Sequence, residues 1–139
     1  MQRDWNAQNR QVVAEFRANQ GRVGGYFADK PLLLLTTTGA RSGRRRVNPL
    51  GYLRDGDSYV VFGTVAGSPR HPDWYYNVLA HPEVEVELAG ERFPATTVVV
   101  TGPERDRLCA LHAANNPGWG SYLSMASREI PVIALQRRS

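Results

Sequence analysis

Residues 32–50 read LLLLTTTGARSGRRRVNPL, and this stretch decides the fold. Four leucines and then three threonines run without glycine or proline as far as Gly39, so a buried strand is expected. It stops at Gly39-Ala40-Arg41-Ser42-Gly43, and a second strand begins at Arg46 or Val47, which makes a β-hairpin. Four arginines, Arg41, Arg44, Arg45 and Arg46, fall within six positions at its tip, among glycines that let the backbone turn and expose N–H groups. Guanidinium forks pair with phosphate or carboxylate oxygens in bidentate fashion, and Ser42 with nearby amides can fill the remaining lone pairs. The tip suits an anion, a phosphate above all. A solvated turn and a nucleic-acid contact are the two other readings of the same cluster.

Downstream, Val47 to Arg54 reads as a strand, and Pro49 within it, lacking an N–H, puts it at an edge or a bulge. Asp55-Gly56-Asp57 is a hairpin turn, and Ser58 to Thr64 follows as a strand, so three consecutive hairpin-linked strands are expected. Residues 63–71, GTVAGSPRH, form an irregular segment just past a strand end, where ligand loops tend to lie. Pro72 then opens a helix at its first helical position, with Asp73 favourable to the dipole. Its Trp74, Tyr75, Val78 and Leu79 share one face, a stripe that serves either as core or as the wall of a pocket.

Glu83 to Leu88 alternates, with Val84, Val86 and Leu88 inward and three glutamates outward, as in a half-exposed antiparallel strand. Ala89-Gly90 turns the chain into a strand from Arg92 to Thr101. Thr101 to Glu104 fits a capping box, opening a helix that carries Leu108, Leu111 and Ala114. Trp119, Tyr122, Leu123 and Ala126 suggest one more short helix, and Pro131 to Gln136 a final strand. Upstream of the hairpin, residues 4–20 place Trp5, Val12, Val13 and Phe16 on one side of an amphipathic helix that ends at Gly21. That helix lies across the outside of a sheet, or else acts as a lid or a peripheral membrane contact. The tally is about six mostly antiparallel strands with three or four short helices and no βαβ repeat: an α+β fold with a curved or barrel-like sheet.

At 139 residues the chain is expected to form one domain, residues 1–139, whose first 21 residues are the helical arm. Hydrophobic content of 42% and charged content of 22% are ordinary for a globular protein. The net charge of +4 favours acidic ligands, anionic lipid or polynucleotide without choosing among them. A lone cysteine, Cys109, excludes an intramolecular disulfide and multi-cysteine metal sites. His71, His81 and His112 lie in different elements without ligand spacing, so no metal is expected. No signal pattern or membrane span is apparent, and the expected location is the cytoplasm, with membrane association through the first helix as a variant.

Ser42 is no nucleophile elbow, and no carboxylate pair is set for acid and base work. What remains is an anion cradle, a glycine-rich loop and the aromatics Trp74, Tyr75, Trp119 and Tyr122, which can line a slot for a flat conjugated ring. Such a protein draws its reactivity from a cofactor.

With those parts in place the chain resembles the deazaflavin-dependent nitroreductases, split β-barrel proteins that bind coenzyme F420. The likeness runs from about Asn9 to Leu135 and is carried by PLLLLTTTGARSGRRRVNPL at 31–50, HPDWYYNVLAHPEVEVE at 71–87 and REIPVIAL at 128–135. It implies a split β-barrel with the coenzyme in a groove beside it. Ala40, Arg41, Ser42 and Arg46 would hold the phosphate and acidic tail, with Val47, Asn48, Pro49, Leu50 and Gly51 beneath the ring. Backbone amides of Phe62, Gly63, Thr64 and Val65 would approach the deazaflavin. Asp73, Trp74, Tyr75, Tyr76 and Asn77 would close the phosphate side at a helix N-terminus.

Trp119 and Tyr122 match positions around the acceptor pocket. Trp119 stands where the family has a phenol, and Val65 where a lysine is often found. The activity implied is hydride transfer from the reduced deazaflavin to a small electron-poor acceptor, a quinone, enone or nitro compound, with Tyr122 as hydrogen-bond donor. The runner-up is the same fold using FMN, whose lack of an acidic tail leaves so many arginines unnecessary. A non-catalytic carrier of the coenzyme or a lipid-like ligand is a different class. Nucleic-acid binding is opposed by the sparse basic charge outside the hairpin.

Overall fold

The four leucines and the threonines after them form β1 (Leu32–Thr38), and residues 32–37 are buried on both of its faces. In the computed structural model, which describes residues 5–19, 21, 23, 31–63, 71–115 and 130–138, β1 lies inside one seven-stranded sheet. The other strands are β2 (Arg45–Gly51), β3 (Leu53–Asp55), β4 (Ser58–Phe62), β5 (Glu83–Leu88), β6 (Glu91–Val100) and β7 (Val132–Arg137). Three helices accompany them among the described residues: α1 (Trp5–Ala18), α2 (Asp73–Ala80) and α3 (Gly102–Asn115).

All pairings are antiparallel, in the order β2-β1-β5-β6-β7-β4-β3. The six expected strands become seven because the stretch from Val47 to Arg54 breaks at Tyr52. Its halves go to opposite edges: β2 pairs with β1 alone and β3 with β4 alone. Since one residue joins the two edges, the sheet must curl until they meet, giving the split barrel. Tyr52 is half-buried at this joint, its N–H donating to the Pro31 carbonyl and its ring edge-on to Tyr59 at 5.5 Å. Pro49 stands on an edge strand, as its missing donor requires.

Strand alternation sorts the core into layers. Leu33 and Leu35 point into the barrel with Tyr59, Val61, Val86, Phe93, Ile133 and Leu135, and α2 adds Trp74 and Val78 to the same interior. Leu32 and Leu34 point outward beneath α1, where Phe16 covers them with Val12, Val13, Val23 and Val47. A third cluster joins α3, through Leu108 and Cys109, to Val60, Phe62, Ile130 and Val132. The first helix thus lies on the outside of the sheet and ends as expected: Gly21, at φ +89°, donates its N–H to the Phe16 carbonyl.

Four expectations need correction. The apolar side of α1 is turned onto the sheet, so a membrane contact through Val12, Val13 and Phe16 is not supported. No described helix is long and apolar enough to cross a membrane. Pro72 caps α2 with extended backbone (φ −65°, ψ 151°) instead of entering it. The buried arc of α2 is Trp74, Asn77 and Val78, whereas Leu79 is 52% exposed. In α3, Leu111 and Ala114 face solvent, and the covered arc is Leu108, Cys109 and the half-buried His112. The further helix expected around Trp119 and Tyr122 lies outside the described residues.

Candidate functional site

Register fixes which connections meet. Val100 pairs with Val132 and Val132 with Phe62, while Thr36 pairs with Glu85 and Glu85 with Pro94. The C-terminal ends of β1, β4 and β6 therefore share one end of the sheet with the starts of β2, β5 and β7. At that end lie the arginine tip and both long connections, from β4 through α2 to β5 and from β6 through α3 to β7. The opposite end carries the two-residue turns Gly56-Asp57 and Ala89-Gly90, each with its glycine at positive φ (+59° and +73°).

The tip is a closed, hydrogen-bonded turn. Gly39 donates to the Arg44 carbonyl at 2.7 Å and Gly43 to the Gly39 carbonyl at 3.0 Å. Ser42 Oγ accepts from the Arg44 N–H at 3.1 Å. A Cβ on Gly39 would come within 2.5 Å of Ser42 Oγ, and Gly43 sits at φ +70°, so both glycines are needed. From α2, Asn77 Oδ1 accepts the Ala40 N–H at 3.0 Å while its Nδ2 donates to Thr37 Oγ1 at 3.1 Å.

Pairing with β1 divides β2 between two faces. Arg46, Asn48 and Leu50 stand opposite Thr37, Leu35 and Leu33 and share the inner face; Arg45, Val47 and Pro49 stand opposite Thr38, Thr36 and Leu34 and share the α1 face. Arg45 is engaged there. Its guanidinium reaches Glu85 at 3.5 Å, Glu85 meets Arg92 at 2.7 Å, Arg92 meets Glu87 at 3.3 Å, and Glu87 meets Arg17 of α1 at 2.7 Å. The hydrogen bond from Arg17, opposed by burial, holds the Glu87 carboxyl below its ordinary range. Arg41, Arg44 and Arg46 are exposed and make no ion pair among the described residues. The Asn48 side chain, half-buried between Arg46 and Leu50 on the inner face, has no hydrogen-bonding partner among the described residues.

Several site residues expected from sequence fall elsewhere. Trp74, 3% exposed, is barrel core and offers no open wall. Val47 and Pro49 turn towards α1, so the stretch expected beneath a ring reduces on the inner face to Asn48 and Leu50. Gly63 has already donated its N–H to the Pro131 carbonyl at 2.8 Å, and the Phe62 ring stacks on His112 at 4.2 Å under α3. Burial there lowers the His112 imidazole below its ordinary value. Asp73 and Tyr76 are exposed, and Tyr75 is half-buried with its ring 4.8 Å from that of His71. Thr64, Val65, Trp119 and Tyr122 lie outside the described residues. Sequence reasoning missed Thr37, whose only signal was a polar residue on the inward parity of a leucine strand. It also missed the glutamates' ladder, whose signal was the alternation of Glu85 and Glu87 just before the turn that leads to Arg92.

An exposed guanidinium cluster, without ion pairs among the described residues, thus sits on a hydrogen-bonded turn at the end of a split barrel where the long connections gather. The family model for F420H(2)-dependent quinone reductases matches residues 8–137. An F420H(2)-dependent quinone reductase of Mycobacterium tuberculosis is 40% identical over 129 residues, 90% of this chain and 87% of that protein. Among solved structures, an F420H2-dependent reductase, FDR-A, is 34% identical with TM-score 0.70, covering 81% of this chain and 100% of that one. A domain-swapped dimer is 32% identical with TM-score 0.71, covering 94% and 99%. The chain belongs to the F420H(2)-dependent quinone reductase family, and it is an F420-dependent oxidoreductase of split-barrel fold.

Proposed function

We propose that the hairpin tip holds the phosphate and acidic tail of coenzyme F420 and that the acceptor is a small electron-poor molecule, a quinone first, then an enone or nitro compound. The observation that carries this is the set of guanidinium groups of Arg41, Arg44 and Arg46, without carboxylate partners among the described residues while Arg45 beside them is paired. A phosphate and a polycarboxylate tail are the chemistry those donors fit. Arg41, Ser42 and Arg46 bind the anionic part, while Ala40, expected among them, has given its N–H to Asn77; Asn48 and Leu50 offer a polar and an apolar contact to a ring on the inner face. Asp73, Tyr75 and Tyr76 border this side from the first turn of α2.

When bound, the reduced deazaflavin supplies the hydride. The chain's own work is positional: it orients the two reactants and places a donor where negative charge develops on the acceptor oxygen. Tyr122 is that donor and Trp119 the neighbouring aromatic wall, by their match to the family's acceptor positions.

The test is a titration of the protein with F420 and separately with FMN, following tryptophan quenching. Tight binding of F420 alone, weakened at least tenfold by Arg41→Ala and by Arg46→Ala, is expected. Binding of FMN instead, or no effect of either substitution, overturns the assignment. Tyr122→Phe should lower turnover on a quinone by about a hundredfold with F420 affinity intact; equal loss of both would remove it from that role.

A further inference from the structure

Asn77 sits in an unusual position for a ligand residue. It is 8% exposed, held in place by Trp74 one turn before it and Val78 beside it, both seated in the barrel core. Its carboxamide is already spent on two groups distant in sequence. Oδ1 accepts from the Ala40 N–H, the first amide of the arginine turn after Gly39, and Nδ2 donates to Thr37 Oγ1, itself 1% exposed. The orientation of the amide is fixed by chemistry, since only its oxygen can accept from an N–H. No other described side chain from α2 hydrogen-bonds the tip.

We infer that Asn77 is a positioning residue for the anion-binding turn: by clasping Thr37 and Ala40 it fixes where the tip leaves β1, and so where Arg41, Ser42 and Arg46 meet the anion. This rests on the coenzyme reading above. Without the clasp, the turn keeps its internal bonds from Gly39 and Gly43 but loses its tie to the rest of the barrel. The tip then samples a range of positions, and the ordering must be supplied at the moment of binding. The geometry also assigns Thr37 its place, as the anchor that orients the amide from behind.

The experiment is hydrogen exchange at the Ala40 amide in the coenzyme-free protein, read alongside F420 affinity, for Asn77→Ala and Thr37→Val. Asn77→Ala should speed exchange at Ala40 by tenfold or more and weaken F420 binding by about tenfold. Thr37→Val, which leaves the Ala40 bond intact but unmoors the amide, should move both quantities the same way by a smaller factor. Unchanged exchange at Ala40 in Asn77→Ala overturns the clasp. So does an Asn77→Ala loss of affinity with Thr37→Val binding like the unmodified protein, the pattern of a direct ligand. Should Asn77→Ala not fold, Thr37→Val alone decides, by whether exchange at Ala40 rises. Failure of the unmodified protein to bind F420 would sink the coenzyme reading instead, leaving the exchange result to stand by itself.

Discussion

Because Arg45 stands opposite Thr38 and Arg46 opposite Thr37, the pleat sends these neighbouring guanidinium groups to opposite faces of β2. Arg45 enters the ladder that runs through Glu85, Arg92 and Glu87 to Arg17, while Arg46, on the face of Thr37 and Asn77, has no ion pair among the described residues. The ladder is also where stability responds to pH. Glu87 is held below its ordinary value of 4.5, chiefly by the hydrogen bond from Arg17. A depressed carboxyl contributes stability above its unfolded value and loses it as pH falls through the folded one, so the loss begins below about pH 4.5. Glu87→Gln should cost about 1 kcal/mol near neutral pH and flatten the acid limb of the stability curve. Urea midpoints measured from about pH 3 to about pH 7 check both, and parallel acid limbs in the two proteins would show that Glu87 does not govern it.

At the scale of elements, α1 tests how independent the layers are. Phe16, 3% exposed, is the residue through which the helix grips Leu32 and Leu34. Phe16→Ala should cost about 3 kcal/mol and undock α1 with the barrel interior unchanged, because Leu33 and Leu35 face the other way. A lowered urea midpoint, with exchange sped more in α1 than in β5, β6 and β7, is the expected result. The sequence made β1, its hairpin, the two tight turns and the outside position of α1 legible, because each is written in local pattern: alternation, Asp-Gly, a three-to-four spacing. It misled for α2. Hydrophobicity selected Leu79 for the buried face, while helical geometry puts Asn77 there, and a buried amide is tolerable only with Thr37 and Ala40 as partners. Those partners lie 37 and 40 positions away, where no local pattern reaches. Trp74 was misassigned to a pocket wall for a related reason: composition does not distinguish a ring that lines a slot from one that fills a core.

For the whole molecule, the two halves of one apparent strand, β2 and β3, stand at opposite edges of the sheet with Tyr52 between them, so curling and asymmetry of its ends come together. Nothing around Tyr52 announces this, since the break serves closure of the barrel and not local turn chemistry. Its consequence is functional segregation: the arginine tip and both long connections gather at one end, and the tight turns at Gly56-Asp57 and Ala89-Gly90 occupy the other. Coenzyme binding should therefore write a one-ended pattern of hydrogen exchange. Amides at 40–46 and 73–77 should slow on addition of F420, the first group by tenfold or more. Amides at 56–57 and 89–90, in turns that open locally and not by global unfolding, should keep their rates. General stabilisation by a ligand slows only those amides that exchange through global opening, so the two turns act as an internal control. Slowing at the turns equal to that at the tip would place the ligand elsewhere on the barrel, and slowing confined to 73–77 would remove the arginines from the contact.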